Sequence, residues 1–267
     1  MPELPEVETH ARNLARWATG RRIGAVTPPP GVRETMGTPA RTFAARLRGR
    51  RIERVWRRGK WILLDLSGGA GLGLHLGMTG HIMRVRDKAA LPRFARAVLA
   101  LDGGARLVFV DSRRFGRLVP VVRREDLLEM PEIAALGPDA LAATPAQLAD
   151  ALARTTRTVK ETIMDQRVLA GVGNLYATEA LWRAKIHPAR RARSVDAKKL
   201  LTAIRAALRH GLRTYSGQEE PEYIEEGGPN PFYCYDRAGE PCRRCQTTIR
   251  AMTTGGRTSA YCPHCQK

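Results

Sequence analysis

The chain predicts an α+β fold, with an N-terminal β-sandwich and a flanking helix, then a helical domain that ends in a four-cysteine zinc finger. Three observations carry this. Between residues 52 and 122 the apolar residues come in short alternating runs, the period of half-buried strands. Beyond about residue 125 they fall at helical spacing. The last two dozen residues contain Cys242-x2-Cys245-x16-Cys262-x2-Cys265, two pairs spaced to bring four thiolates to the corners of a tetrahedron, as structural zinc requires.

The elements follow in order. Residues 6–17 place Val7, His10, Ala11 and Leu14 at helical spacing and form the flanking helix. Seven strands are expected over 52–56, 61–66, 72–76, 82–85, 97–101, 107–110 and 118–122, separated by turns such as Ser67-Gly68-Gly69 and Asp102-Gly103-Gly104. Antiparallel hairpins in a sandwich result. Helical periods then run over 141–154, 158–170, 175–184 and 195–212. A helix ending at Ala170, the bend Gly171-Val172-Gly173 and a new helix from Asn174 make a helix-turn-helix arrangement. A dinucleotide fingerprint is excluded there, because the third glycine's position holds Tyr176 and no strand precedes it. Residues 216–230 are polar and rich in Gly and Pro, which reads as a loop. The expected divisions are 1–130, 131–215, 216–233 as a flexible loop, and 234–267 as the zinc finger.

Composition points to a polyanionic partner. Against 26 Asp and Glu stand 45 Lys and Arg, a formal charge of +19 in 267 residues, with a pI near 10.8. Such a field suits DNA, and equally a ribosome-associated protein. Arg243, Arg244, Arg250 and Arg257 crowd the cysteine segment, so the metal would staple a basic ribbon suited to phosphates. The amides opening the helix at Asn174, with the Asn174 side chain, form a second candidate phosphate site, although an ordinary helix hairpin has the same pattern. No run of eighteen apolar residues occurs, and the opening Pro2, Glu3, Pro5, Glu6 and Glu8 is the reverse of a cationic signal peptide. A cytoplasmic monomer without a membrane segment is expected. Zinc leaves Cys234 single, which fits a reducing compartment.

The N-terminus suggests chemistry. With Met1 removed, Pro2 presents a secondary α-amine whose ordinary pKa is about 8, so a useful fraction is neutral and nucleophilic. Attack on C1′ of a deoxyribose would displace the base and leave an iminium that acidifies the C2′ proton. Glu3 would move protons, and Glu6, one helical turn on, would orient the site. The same residues also suit a plain helix start, with Pro5 early and glutamates favouring the dipole.

Met1-Pro-Glu-Leu-Pro-Glu-Val-Glu-Thr9, Arg58-Gly-Lys60, His75-Leu-Gly-Met78-Thr-Gly80, Asp111-Ser-Arg-Arg-Phe-Gly116, Gly171-Val-Gly-Asn-Leu-Tyr-Ala177 and the cysteine finger together resemble the bacterial formamidopyrimidine-DNA glycosylase and endonuclease VIII family. The opening is closer to the formamidopyrimidine branch. The resemblance implies a base-excision enzyme acting on damaged double-stranded DNA by base removal and β,δ-elimination, with a β-sandwich, a helix-two-turn-helix domain and one structural Zn2+. Matched position by position, it implies Pro2 as nucleophile, Glu3 as general acid/base, Lys60 at the phosphate during δ-elimination, and Arg257 as the finger arginine. Asn174 matches a phosphate-gripping asparagine, and Lys160 a lysine near the damaged nucleotide, although its local pattern equally suits a solvated helix face. Met78, Arg113 and Phe115 match side chains that fill the space of a flipped nucleotide, a task suited to an adaptable thioether, a guanidinium and a ring; a core Met and Phe would read alike.

Two departures bear on substrate. The stretch from Thr214 to Cys234, which resembles a lesion-capping loop, is shortened and shows Ser216-Gly-Gln-Glu-Glu220 in place of the usual Gly-Gly-Ser/Thr-Thr-Leu. Arg96 stands roughly where a phosphate-contacting histidine is common, and Ser112 where a proline is. The resemblance still implies removal of oxidised bases, formamidopyrimidine and 8-oxoguanine; an endonuclease VIII-like glycosylase for oxidised pyrimidines and a catalytically idle damage binder are the alternatives.

Overall fold

The computed structural model describes residues 2–219 and 227–267. The expectations that Met1 is removed and that 216–233 is flexible fall wholly or in part outside these residues. The described chain forms two compact units. One holds residue 2, residues 6–134 and residues 215–219; the other holds Glu3–Pro5, Ala135–Thr214 and residues 227–267.

In the first unit, helix α1 (Leu4–Ala18) runs on from residues 4–5 of the other unit and precedes β1 (Ile23–Thr27) and α2 (Ala40–Leu47). Seven strands follow: β2 (Ile52–Arg58), β3 (Trp61–Leu66), β4 (Gly71–His75), β5 (His81–Arg86), β6 (Ala95–Leu101), β7 (Ala105–Val110) and β8 (Arg117–Val121). They pair antiparallel in two four-stranded sheets, ordered β1-β6-β7-β5 and β2-β3-β4-β8. One core joins them. Ile62, Leu64 and Leu66 of β3 cluster with Leu99 and Leu101 of β6, Leu107 and Phe109 of β7, and Val7, Leu14 and Trp17 of α1. Period-2 alternation supplies this face from each strand, and burial of its aliphatic side chains is the main favourable term. Gly71 and Gly73 open the outer face of β4: a Cβ at Gly71 would lie 2.8 Å from Leu127 of α3 (Glu125–Glu129), and one at Gly73 3.2 Å from it. The sandwich is as expected. The sequence reading missed β1 and α2, whose five and eight residues carry too little pattern to stand out.

The second unit holds α5 (Pro145–Ala153), α6 (Val159–Met164), α7 (Asn174–Ala184) and α8 (Ala197–Thr214), while the short α4 (Pro131–Ala134) closes the first. Capping boxes open α5 at Thr144 with Gln147 and α6 at Thr158 with Glu161. The helix expected over 158–170 stops at Met164. Asp165 accepts hydrogen bonds from the backbone N–H and guanidinium of Arg167 and from Arg157, so its side chain serves a turn and not the next helical turn. Gln166 completes that turn, donating to the Met164 and Val172 carbonyls and accepting from the Gly171 N–H. The unit ends in the antiparallel ribbon β9 (Arg250–Thr254) and β10 (Arg257–Tyr261). Its turn residues Gly255 and Gly256 both have left-handed φ, the requirement of a two-residue hairpin with primed geometry. Among the described residues no helix is long and apolar enough to cross a membrane.

Candidate functional site

In the first unit, Pro2 is buried just before α1. Lys60 lies half-buried in the β2–β3 turn. That turn is set from α1: Glu8 holds Arg57 at 2.8 Å, and Arg57 donates to the Gly59 carbonyl at 2.9 Å. His75 on β4 pairs with Trp61 across the sheet. Burial, then the charges of Lys60 and Arg117, press its pKa down to about 4, so the ring is neutral near pH 7. Its Nδ1 accepts from the Gly77 N–H. The sequence reading gave His75 no role.

Met78, Arg113 and Phe115 sit on adjoining turns of this unit. A Cβ on Gly77 would meet the Phe115 backbone at 2.5 Å, so only glycine lets the Met78 turn come this close. Buried Asp111 fastens both turns: Oδ1 accepts from the Thr79 hydroxyl at 2.6 Å and the Arg113 N–H at 3.2 Å, and Oδ2 from the Gly116 N–H at 2.7 Å. Phe115 is 38% exposed. The Arg113 guanidinium lies 5.1 Å from its ring centroid. The alternative of a core phenylalanine is thereby excluded. Arg96 donates from Nε to the Asp111 carbonyl at 2.7 Å, so part of its guanidinium serves the protein's own backbone. The only local sign of this role for Asp111 is that it is a single acid closing the apolar run of β7.

The second unit changes two expectations. The amides opening α7 hold the protein's own carboxylate: Glu3 is buried, and accepts from the N–H groups of Gly173 at 2.6 Å, Leu175 at 2.9 Å and Tyr176 at 3.3 Å. Gly173, the N-cap, has no side chain to do this, and the positive end of the helix dipole favours an anion there. The Leu4 N–H donates to the Gly171 carbonyl, and a Cβ on Gly171 would lie 2.7 Å from Leu4. The expected phosphate site at these amides is therefore filled from within. The side chain of Asn174 has a buried oxygen without a hydrogen-bond partner among the described residues.

Lys160 is the second change, because it is fully buried and not on a solvated face. Its ammonium donates to the Ser259 hydroxyl at 2.7 Å, the Thr178 hydroxyl at 3.0 Å and the Thr258 carbonyl at 3.3 Å, one acceptor for each N–H. Burial lowers its pKa to about 8; Glu3 acts against this and Arg257 with it. Lys160 thus ties α6 and α7 to β10 two residues from Arg257. Arg257 is exposed beside the ribbon turn, where it lines a cavity of about 290 Å3 with Arg157, Glu161, Met164, Asp165 and Thr254.

The cysteines converge as expected. The four sulfurs of Cys242, Cys245, Cys262 and Cys265 all lie within 4.8 Å of one another. Tetrahedral Zn–S bonds of about 2.3 Å would set sulfurs about 3.8 Å apart, and Cys245 lies 3.5 Å from Cys262 and 3.4 Å from Cys265. The donor set fits one structural Zn2+, closed to substrate. Trp182 of α7 points its indole N–H at Cys242 Sγ, 3.5 Å away, a second-layer contact typical of metal thiolates. Cys234 stands apart from the quartet, and burial, then the Glu179 charge, pushes its thiol well above the usual range. Glu179 was missed altogether. It is fully buried, its Oε1 accepts from three successive backbone N–H groups at Tyr233, Cys234 and Tyr235, and its Oε2 pairs with Arg183 at 2.7 Å. A lone acid on a mostly apolar helix, with Arg183 one turn on, was the signal.

Comparison with known proteins covers the chain from end to end. Residues 1–118 match the formamidopyrimidine-DNA glycosylase N-terminal domain, 136–220 the H2TH domain of the same glycosylase, and 239–267 the zinc finger found in FPG and IleRS. The formamidopyrimidine-DNA glycosylase of Chloroflexus aurantiacus is 39% identical over 276 residues, covering 100% of this chain and 98% of that one. Among solved structures, the MutM (Fpg) protein of Thermus thermophilus is 36% identical at a TM-score of 0.85, covering 99% of this chain and 98% of its own. The Lactococcus lactis Fpg bound to DNA with an abasic site is 26% identical at a TM-score of 0.89, covering 99% of each. With the Pro-Glu opening, the fastened turns and the thiolate quartet all in place, the chain belongs to the formamidopyrimidine-DNA glycosylase family.

Proposed function

We propose that this protein excises oxidised bases, formamidopyrimidine and 8-oxoguanine foremost, from double-stranded DNA and then cuts the strand at the abasic site. The observation that carries the reading is the buried carboxylate of Glu3, anchored by three N–H groups at the start of α7 and next in sequence to Pro2. A side chain so held is positioned before substrate arrives, which general acid–base work requires.

In the proposed sequence, the neutral Pro2 amine, free once Met1 is removed, attacks C1′ as the C1′–N bond to the base breaks. The base leaves with the bonding pair and is protonated. The sugar ring opens as its O4′ takes a proton by way of Glu3, leaving an iminium at C1′. Loss of a C2′ proton expels the 3′ phosphate, a second elimination expels the 5′ phosphate, and water releases the enzyme. Lys60 is assigned to the phosphate that leaves, and Arg257 and Asn174 to flanking phosphates. Met78, Arg113 and Phe115 fill the gap left by the flipped nucleotide, and Arg96 lies beside them through its bond to Asp111. Lys160 acts on DNA through the placement of Arg257. Zinc, held by the four cysteines, keeps the ribbon folded.

Borohydride tests the reading. It should trap a covalent protein–DNA adduct on an abasic duplex, and Pro2→Gly or retention of Met1 should abolish it; no adduct with the wild type would overturn an enzyme in favour of a damage binder. One observation favours a second substrate reading. Residues 218 and 219, within the stretch that departs from the family's pattern, are fastened to α1 through Asn13, whose amide donates to both their carbonyls. Faster cleavage of thymine glycol than of 8-oxoguanine in single-lesion duplexes would move the substrate to oxidised pyrimidines.

A further inference from the structure

We propose that Glu34 is a positioning residue: it pins Arg114, and through Arg114 it holds Arg113 and Phe115 in the orientation that fills the gap and reads the orphaned base. The role rests on reading the protein as a base-excision enzyme. Glu34 lies in the connection between β1 and α2, and its side chain is only 3% exposed. Its Oε1 accepts from Arg114 Nε at 2.6 Å, 80 residues further along the chain. Arg114 is the middle residue of the turn that bears Arg113 and Phe115, and its φ is +60°. That region is glycine's, so an arginine there is strained and persists only where its surroundings over-determine it. A charge-assisted hydrogen bond to a buried carboxylate is such a determinant. Gly31 makes the approach possible, because a Cβ there would lie 2.8 Å from Arg114 Nη2 and closer still to Glu34 Oε2.

The loop that carries Glu34 is bonded to itself and to the strand that leaves the turn. The Gly37 N–H donates to the Val32 carbonyl at 2.8 Å, and the Thr35 hydroxyl to the Thr38 carbonyl at 2.6 Å. The Leu118 N–H, in β8, donates to the Glu34 carbonyl at 2.7 Å. Glu34 thus grips both the middle of the turn and its exit. Asp111 holds the same turn through backbone N–H groups alone, those of Arg113 and Gly116. The middle side chain is left to Glu34. The loop also reaches the ring: the guanidinium of Arg33, next to Glu34, lies 5.6 Å from the Phe115 centroid, and that of Arg113 lies 5.1 Å from it. Without the pin, Arg114 can leave its left-handed φ and turn Arg113 and Phe115 with it. Hydrogen-bond readout of a base edge depends on donor direction, so selectivity for the partner base suffers first.

The test uses the full zinc-loaded protein and abasic-site duplexes that differ only in the base opposite the site, cut under single turnover. The wild type should prefer one partner base, and Glu34→Ala should lower that preference about tenfold, the size of one lost contact to a base edge. Glu34→Gln keeps the shape and an acceptor but loses the charge, so its preference should fall by less, about threefold; it keeps the test open where Glu34→Ala does not fold. Arg114→Gly suits the left-handed φ yet removes the partner, and should lower the preference as well. Adding Glu34→Ala to it should lower the preference no further. Borohydride trapping on single-stranded abasic DNA, which has no orphaned base, should keep its wild-type rate in the Glu34 variants, a result that a general loss of fold would not give. Wild-type preference in Glu34→Gln and Arg114→Gly would overturn the pin. So would a wild type indifferent to the partner base, single losses that add independently, or an equal loss of trapping on single strands. A wild-type adduct with unchanged preference in the variants defeats the pin alone, and no adduct defeats the glycosylase reading.

Discussion

The β-sandwich and the zinc ribbon both present arginines from tight turns, yet they are held together by opposite means. In the sandwich one core drawn from two sheets and α1 spreads stability over many aliphatic side chains. The ribbon has a small cluster, Trp182, Cys234, Cys242, Ile249, Ala260 and Cys262, two of which are metal ligands. What fastens it besides zinc is a few buried polar atoms, the ammonium of Lys160 and the carboxylate of Glu179. Distributed burial degrades in steps. A ribbon fastened at a few points should fail at once, and that contrast is open to measurement.

The largest expected effect is on zinc. Structural zinc contributes an apparent 10–16 kcal/mol, on the order found for small finger peptides, so chelation should abolish binding to abasic-site DNA while the strand signal in far-ultraviolet circular dichroism persists. Full binding after complete metal removal would erase the contrast. Next comes Glu179→Ala, which leaves the N–H groups of residues 233–235 and the Arg183 guanidinium without their acceptor. Breaking a buried pair from one side costs about 3–5 kcal/mol, and here the loss should appear as faster zinc release. Leu64→Ala, about 2–5 kcal/mol in the sandwich core, should leave zinc release unchanged. Equal zinc release from both variants would show that the two regions unfold as one.

The smallest effect sharpens the comparison through pH. Lys160 is pressed by burial from an ordinary 10.5 to about 8. Between those values the unfolded chain holds the proton and the folded one does not, so stability rises with pH across the window. Below about 8 the buried charge is a standing cost. Lys160→Met should flatten that rise, measured by denaturant unfolding from pH 7.5 to 10.5; a variant with the wild-type slope would place the titration elsewhere.

Much of the candidate site was legible because its residue types are bound to local chemistry. Two CxxC pairs need only their spacing, and a Pro-Glu opening needs only its place in the chain. The sandwich was legible because alternation is local to each strand. Lys160 was not: a lysine in the first turn of a short helix looks solvated unless Thr178, Thr258 and Ser259 are known to surround it. Asp111 and Glu179 went unseen for the same reason, their partners being backbone N–H groups that carry no sequence signature. The anion at the start of α7 followed from helix physics, but only the fold shows it to be Glu3.

The sequence by itself determined the class of fold and the metal site, through periodicity and spacing, and it pointed to a polyanionic partner through net charge and to a candidate nucleophile through its place in the chain. The tertiary structure alone decided which charged groups face inward and what they hold. A buried ammonium or carboxylate is tolerable only where acceptors or donors converge on it, and here they converge from segments as far apart as residues 3 and 173, or 160 and 259.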